Sequence, residues 1–209
     1  MAGRAMSAGT TQSTAQSAPA PGASATKPRA DAQRNRAKLI DAAHTAFTET
    51  GVNAPLEKIA QSAGVGIGTL YRHFPTRADL VQAVYAQYSA ELADAGEQAM
   101  RTEAPDVALH KLFRLFLDSA QTKRGMKEVI LAEVGHDAPV FTEARIRTRA
   151  VFDEIVSSGQ AEGLFRSDVS ADDVHKIIAG LTMTCASDAA PTDLDRMATI
   201  IVDGLRAPR

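Results

Sequence analysis

Seven consecutive residues, 68–74, bring together side chains that could handle a nucleic acid: Gly68, Thr69, Leu70, Tyr71, Arg72, His73 and Phe74. Arg72 carries a planar fork of N–H donors, the shape that pairs bidentately with O6 and N7 of guanine in a major groove. Thr69 and Tyr71 carry hydroxyls that can donate to phosphate oxygens. Gly66 and Gly68 carry no side chain, so backbone can come close to a phosphate there. Taken on residue type alone, Arg72 could also be a surface arginine and Tyr71 a core aromatic, while His73 could simply pack against Phe74. The chemistry on offer is recognition rather than catalysis. There is no Gly-x-Ser-x-Gly and no His-Glu-x-x-His, and the glycines at 64–68 lack the Lys-Ser/Thr of a phosphate loop.

Helical phase sorts these residues. Leu70 and Phe74 are four apart and share a face, with Ile67 beside them, so that face should pack inward. Gly68 and Arg72 then lie opposite, flanked by Thr69 and Tyr71. Pro75 ends the helix, because it lacks an N–H and restricts the residue before it. Three glycines at alternate positions, 64, 66 and 68, suit a sharp turn better than a packed helix. A helix over 55–62, with Leu56, Ile59, Ala60 and Ala63 inward, precedes that turn. The pair is a helix-turn-helix whose second helix, 67–75, would enter the major groove.

Charge is distributed to match. The chain of 209 residues has a formal net charge of −2. Residues 27–77 hold eight Lys/Arg against four Asp/Glu, a net of +4, and residues 78–209 hold fourteen against twenty-one, a net of −7. A basic module on an acidic body places phosphate contact at the N-terminal end. Arg36 falls in the basic start of the first helix, where phosphate contact and plain solvation both remain open. One cysteine, Cys185, excludes an internal disulfide framework and is expected to be buried packing. No apolar run approaches 18 residues and no signal-like segment opens the chain. The expectation is a cytoplasmic protein, nucleoid-associated when bound to DNA, with no membrane contact, metal or cofactor. His110, His136 and His175 have no metal-ligand spacing.

The periodicity of the whole chain predicts an all-α protein of nine helices. Residues 1–30 are Ala, Ser, Gly, Thr, Gln and Pro with almost no large apolar groups, and are expected to be disordered. Residues 31–78 form the helix-turn-helix domain and 79–209 a helical body. A helix over 32–50 should stop at Gly51. Thr76 and Asp79 form a capping box, as do Ser170 and Asp173. Further helices are expected over 77–100, 106–120, 126–134, 139–162, 170–183 and 192–205.

Residues 36–84 resemble the TetR family of bacterial transcriptional regulators. The resemblance rests on Arg36 through Ala43, Phe47, Gly51, Ile59-Ala60, Ala63-Gly64-Val65, Gly68-Thr69-Leu70-Tyr71, His73-Phe74 and Asp79-Leu80. The segment 133–181 resembles the SbtR-like subgroup. The resemblance implies an Ω-shaped homodimer of two-domain subunits on a palindromic operator in double-stranded DNA. It also implies a small-molecule pocket among the middle helices and, usually, relief of repression when that pocket fills. Carried over by position, Tyr71, His73 and Arg77 match phosphate contacts, Gly68 and Thr69 match approach to backbone or base, and Arg72 is at the variable base-reading position. Two departures stand out: Ala54-Pro55 and Gly66 occupy positions where many members carry a phosphate-binding hydroxyl.

The last two helices would form the dimer face through Ile177, Ile178, Leu181, Ile200, Ile201 and Leu205. Phe113, Phe116, Met126, Phe141 and Phe152 are candidate pocket walls for a hydrophobic ligand, although the same residue types serve as plain core. A constitutive DNA-binding dimer, or an activator with a solid body, is the competing reading.

Overall fold

A computed structural model describes residues 26–184 and 191–208, and among these the elements are α-helices. In chain order they are α1 (Thr26–Thr50), α2 (Leu56–Ser62), α3 (Ile67–His73), α4 (Arg77–Thr102), α5 (Pro105–Glu133), α6 (Pro139–Ala161), α7 (Ala171–Thr184) and α8 (Pro191–Leu205). The only pairing outside them, within the described residues, is an isolated antiparallel bridge between Phe165 and Arg206.

Two boundaries differ from expectation. α1 begins at Thr26, so residues 26–30, expected to be disordered, are helical. Residues 1–25 and Cys185 lie outside the described residues. The segments 106–120 and 126–134 run on as one helix, α5. Gln121, Lys123 and Arg124 between them favour helix and no proline interrupts, so Thr122 and Gly125 weaken the turn without stopping it. The described residues therefore hold eight helices.

The ends follow local chemistry. Gly51 has φ of +83° and its N–H meets Phe47 O at 3.1 Å, the left-handed stop expected of it. Thr76 opens α4: its Oγ1 accepts from Asp79 N at 3.1 Å, and its own N–H donates to Asp79 Oδ2 at 2.9 Å. Ser170 and Asp173 repeat this at α7, at 3.2 and 3.0 Å.

Apolar burial divides into two clusters. The first joins Leu39, Phe47, Ile59, Leu70 and Phe74 to Leu80 and Val84 of α4, Met126 and Ile130 of α5, and Val140 of α6. The helix-turn-helix thus shares its core with the body, beyond the expected edge at residue 78. The second cluster joins Leu109, Leu112 and Phe113 of α5 to Phe152 and Ile155 of α6, Ile178 of α7, and Val202 and Leu205 of α8. Tight crossings hold the layers together. A Cβ built on Gly96 of α4 would lie 2.6 Å from Val151 Cγ1, so only glycine lets α4 and α6 approach this closely.

Two residues expected on the dimer face belong to this second core. Ile178 is 1% exposed and Leu205 6%. α7 packs on α5 and α6, and α8 on α5, which turns these two side chains inward. Ile177 and Ile200 point outward, and Leu181 and Ile201 are half-buried at the edge.

Candidate nucleic-acid interface

α2 and α3 are held at their turn by one left-handed residue. Gly64 has φ of +69°, and Val65 N donates to Ala60 O at 3.0 Å across it. Gly66 and Gly68 need no such freedom. Gly66 has φ of −74° as the residue before α3, Gly68 is helical, and a Cβ on either would meet nothing within 4 Å. Inside the subunit, then, one glycine of the three is required by backbone geometry. The other two leave the outer face of α3 free of side chains at its first turn.

That face has the expected content. Leu70 and Phe74 are buried, at 0% and 2%. Gly66, Gly68, Tyr71 and Arg72 are exposed, and Thr69 and His73 are half-buried at its flanks. Tyr71 is exposed to 47%, which removes the core-aromatic alternative. The Arg72 guanidinium has no hydrogen bond or ion pair among the described residues. The His73 ring lies 6.4 Å from that of Phe74. Ile67 corrects an expectation: it is 38% exposed rather than packed inward, since it precedes the first full turn that Leu70 anchors.

Two arginines frame the module differently. Arg36 is exposed, with its guanidinium carbon 5.3 Å from the Phe74 ring centroid, so it is carried beside the end of α3. Arg77 is turned inward. Its Nη1 donates to Val52 O at 2.8 Å and to Ala54 O at 2.9 Å, tying the start of α4 to the α1–α2 link. Beside the expected phosphate role, Arg77 thus has a structural one: a single nitrogen of its donor fork is engaged inside the protein, on carbonyls that no helix satisfies, and the rest of the fork has no partner among the described residues.

The five expected pocket residues do not share one site. Met126 and Phe141 pack on the first core, whereas Phe113, Phe116 and Phe152 pack on the second. Phe113, Met126 and Phe152 are fully buried. Open clefts lie elsewhere: about 520 Å³ lined by Phe165, Arg166 and Arg206, about 210 Å³ lined by His110 and Thr199, and about 600 Å³ lined by Lys38, Thr45 and Ser62.

Between the two cores runs a polar seam that the sequence did not single out. Lys123 Nζ lies 5.5 Å from the Tyr85 ring centroid and 5.1 Å from that of Phe116. Burial pulls the Lys123 ammonium down to about 8. Burial also pushes the Tyr85 phenol up, a shift that a neighbouring Ser89 partly opposes. Ser89 Oγ is buried without a well-formed hydrogen bond, so its closeness to that phenol does not amount to a good one. Lys123 sits in a helix where any lysine reads as solvated surface, and no spacing marks it out.

No described helix is long and apolar enough to cross a membrane, and no three described His, Cys, Asp or Glu residues are placed to hold a metal.

An exposed short helix after a tight turn, backed by two helices and edged by free basic groups, defines a helix-turn-helix DNA-binding protein. Known proteins narrow the class. Residues 39–84 match the profile described as bacterial regulatory proteins, tetR family. Residues 104–207 match the profile described as transcriptional regulator SbtR-like, C-terminal domain. The TetR transcriptional regulator SCO0520 from Streptomyces coelicolor is 33% identical, with a TM-score of 0.72, over 83% of this chain and 99% of that one. The TetR transcription regulatory protein from Mycobacterium vanbaalenii is 29% identical, with a TM-score of 0.69, over 86% and 99%. An HTH-type transcriptional regulator of Staphylococcus aureus is 47% identical over 53 residues, 25% of this chain and 29% of that protein. The chain thus spans less than a third of the length of these curated relatives. It belongs to the TetR family of DNA-binding transcriptional regulators.

Proposed function

We propose that the chain is a repressor that binds a palindromic operator as a homodimer and leaves it when a small molecule occupies the body. The observation that supports this most directly is the outer face of α3, where Arg72 and Tyr71 are exposed beside side-chain-free Gly66 and Gly68. Arg72 reads a guanine edge. Tyr71, Thr69 and His73 grip phosphates, and Gly66 and Gly68 let backbone approach them. Arg36 adds charge from α1.

One such helix touches too few bases to choose a site, since each mismatch costs about 1–3 kcal/mol. A second copy solves this. Ile177 and Ile200 present exposed apolar side chains on α7 and α8, 42% and 64% exposed, with Leu181 and Ile201 beside them. These four residues are the proposed dimer face. Selection from a random pool of duplexes tests the proposal. The expected winner is a palindrome whose half-sites are centred about 34–36 Å apart, or a multiple of that, bound by two or more subunits. Placed over a promoter, it should lower transcription. A single half-site bound by a monomer, or rising transcription, overturns it.

The constitutive reading keeps one observation in its favour: Phe113, Met126 and Phe152 are filled core. It predicts operator binding that no small molecule alters.

A further inference from the structure

We propose that Lys123 anchors the acid group of the effector, in a site along the α4–α5 seam that takes an amphiphile with an apolar body and one negative charge. The inference rests on the ligand-responsive reading above and gives it a chemical class.

Lys123 is an unusual cation in this body. Among the described residues, the other lysines and arginines of α4 to α8 are exposed, paired with a carboxylate or, for Arg77, bonded to backbone carbonyls. Lys123 is neither. It is part-buried, and no hydrogen bond or ion pair engages it among the described residues. Two ring faces, Tyr85 and Phe116, bracket it at 5.5 and 5.1 Å. Aromatic faces offset only part of the cost of taking an ammonium out of water. The low pKa of about 8 reports that uncompensated cost.

A second polar group in the seam is also short of a partner. Ser89, one turn beyond Tyr85 on α4, is 2% exposed and its Oγ has no hydrogen-bond partner. An oxygen of an acid group would give the Ser89 hydroxyl an acceptor and Lys123 a counter-ion. The flanking rings supply the apolar wall, and an anion between them gains from the absence of bulk water.

The seam also touches the DNA-binding module. Two residues after Lys123, a Cβ built on Gly125 would lie 3.4 Å from Val52 Cγ1. Val52 O is one of the two carbonyls that hold Arg77. Movement of α5 at Lys123 therefore reaches the link that joins α1, α2 and α4.

Two dyes that differ in charge test the site. 1-Anilinonaphthalene-8-sulfonate carries an acid group, and N-phenyl-1-naphthylamine is its neutral relative. The wild-type protein should prefer the anionic dye by about tenfold or more. Lys123→Met and Lys123→Gln, each checked for helicity, should abolish that preference while keeping the neutral dye. Lys123→Arg should retain it. Equal binding of the two dyes by the wild type, or an undiminished preference in both neutral variants, overturns the proposal. Binding of the wild type to its selected duplex is measured in parallel. Loss there sinks the functional reading, whereas duplex binding with no Lys123-dependent preference sinks only this inference.

Discussion

Replacing Arg72 by alanine isolates one side chain at the proposed DNA surface. The guanidinium is exposed and has no intramolecular partner among the described residues, so the substitution should change stability by no more than about 0.5 kcal/mol. The loss then falls on the complex. A bidentate arginine–guanine contact carries about 1–3 kcal/mol of discrimination. The proposed dimer would make two such contacts in half-sites too far apart to couple, so about 2–6 kcal/mol should be lost from specific binding. That is a weakening of roughly 30-fold to more than 10⁴-fold. Fluorescence anisotropy on the selected operator and on a scrambled duplex, at several salt concentrations, reads it. Affinity for the operator should fall while affinity for the scrambled duplex and the salt slope hold, because base contacts release no counterions. Equal loss on both duplexes with a shallower slope would make Arg72 a phosphate contact. No loss on either would put the recognition surface elsewhere.

Five further substitutions test the frame around that surface and the body behind it. Arg77→Ala removes the bonds to Val52 and Ala54 carbonyls and should cost about 2 kcal/mol, lowering the melting temperature by about 4–8 °C; an unchanged melt with a shallower salt slope would leave it the phosphate role alone. Ile177→Asp and Ile200→Asp should give folded monomers by analytical ultracentrifugation that have lost operator binding. Ile178→Asp, at 1% exposure, should instead unfold the subunit; the opposite pattern would move the interface to the buried stripe. Lys123 holds its proton less tightly folded, near 8, than unfolded, near 10.5. Between those values the unfolded chain binds more protons, so this group adds stability as pH rises through the window. Thermal melts of the wild type against Lys123→Met at pH 7 and pH 10 should show the wild type gaining at the higher pH. A difference that does not change with pH would mean Lys123 titrates as an exposed lysine.

Short-range rules were enough for much of the fold. A left-handed glycine at 51, the boxes at Thr76 and Ser170, and the 3.6-residue stripe through Leu70 and Phe74 each depend on neighbours within a few positions. They are written in residue order and survive whatever packs against them. The long α5 reads in sequence as two helices because its middle is polar, and periodicity falters there although the backbone does not. Which neighbour a long side chain meets is a different matter. Arg77 looks like a free cation until α4 is laid against the α1–α2 link. Ile178 and Ile177 are adjacent and chemically identical, and only the packing of α7 on α5 and α6 decides that one is core and the other surface.

Amino-acid order alone determined the helical class, the helix-turn-helix and the outward set of Gly68, Tyr71 and Arg72, because a helix converts spacing directly into direction. Tertiary packing alone decided that the DNA-binding module shares a core with α5 and α6, that Arg77 is bonded to carbonyls, and that Lys123 lies between two rings. Those outcomes depend on residues distant in the chain, such as Arg77 and the carbonyls 25 and 23 positions before it, whose approach is set by how whole helices pack rather than by any local pattern.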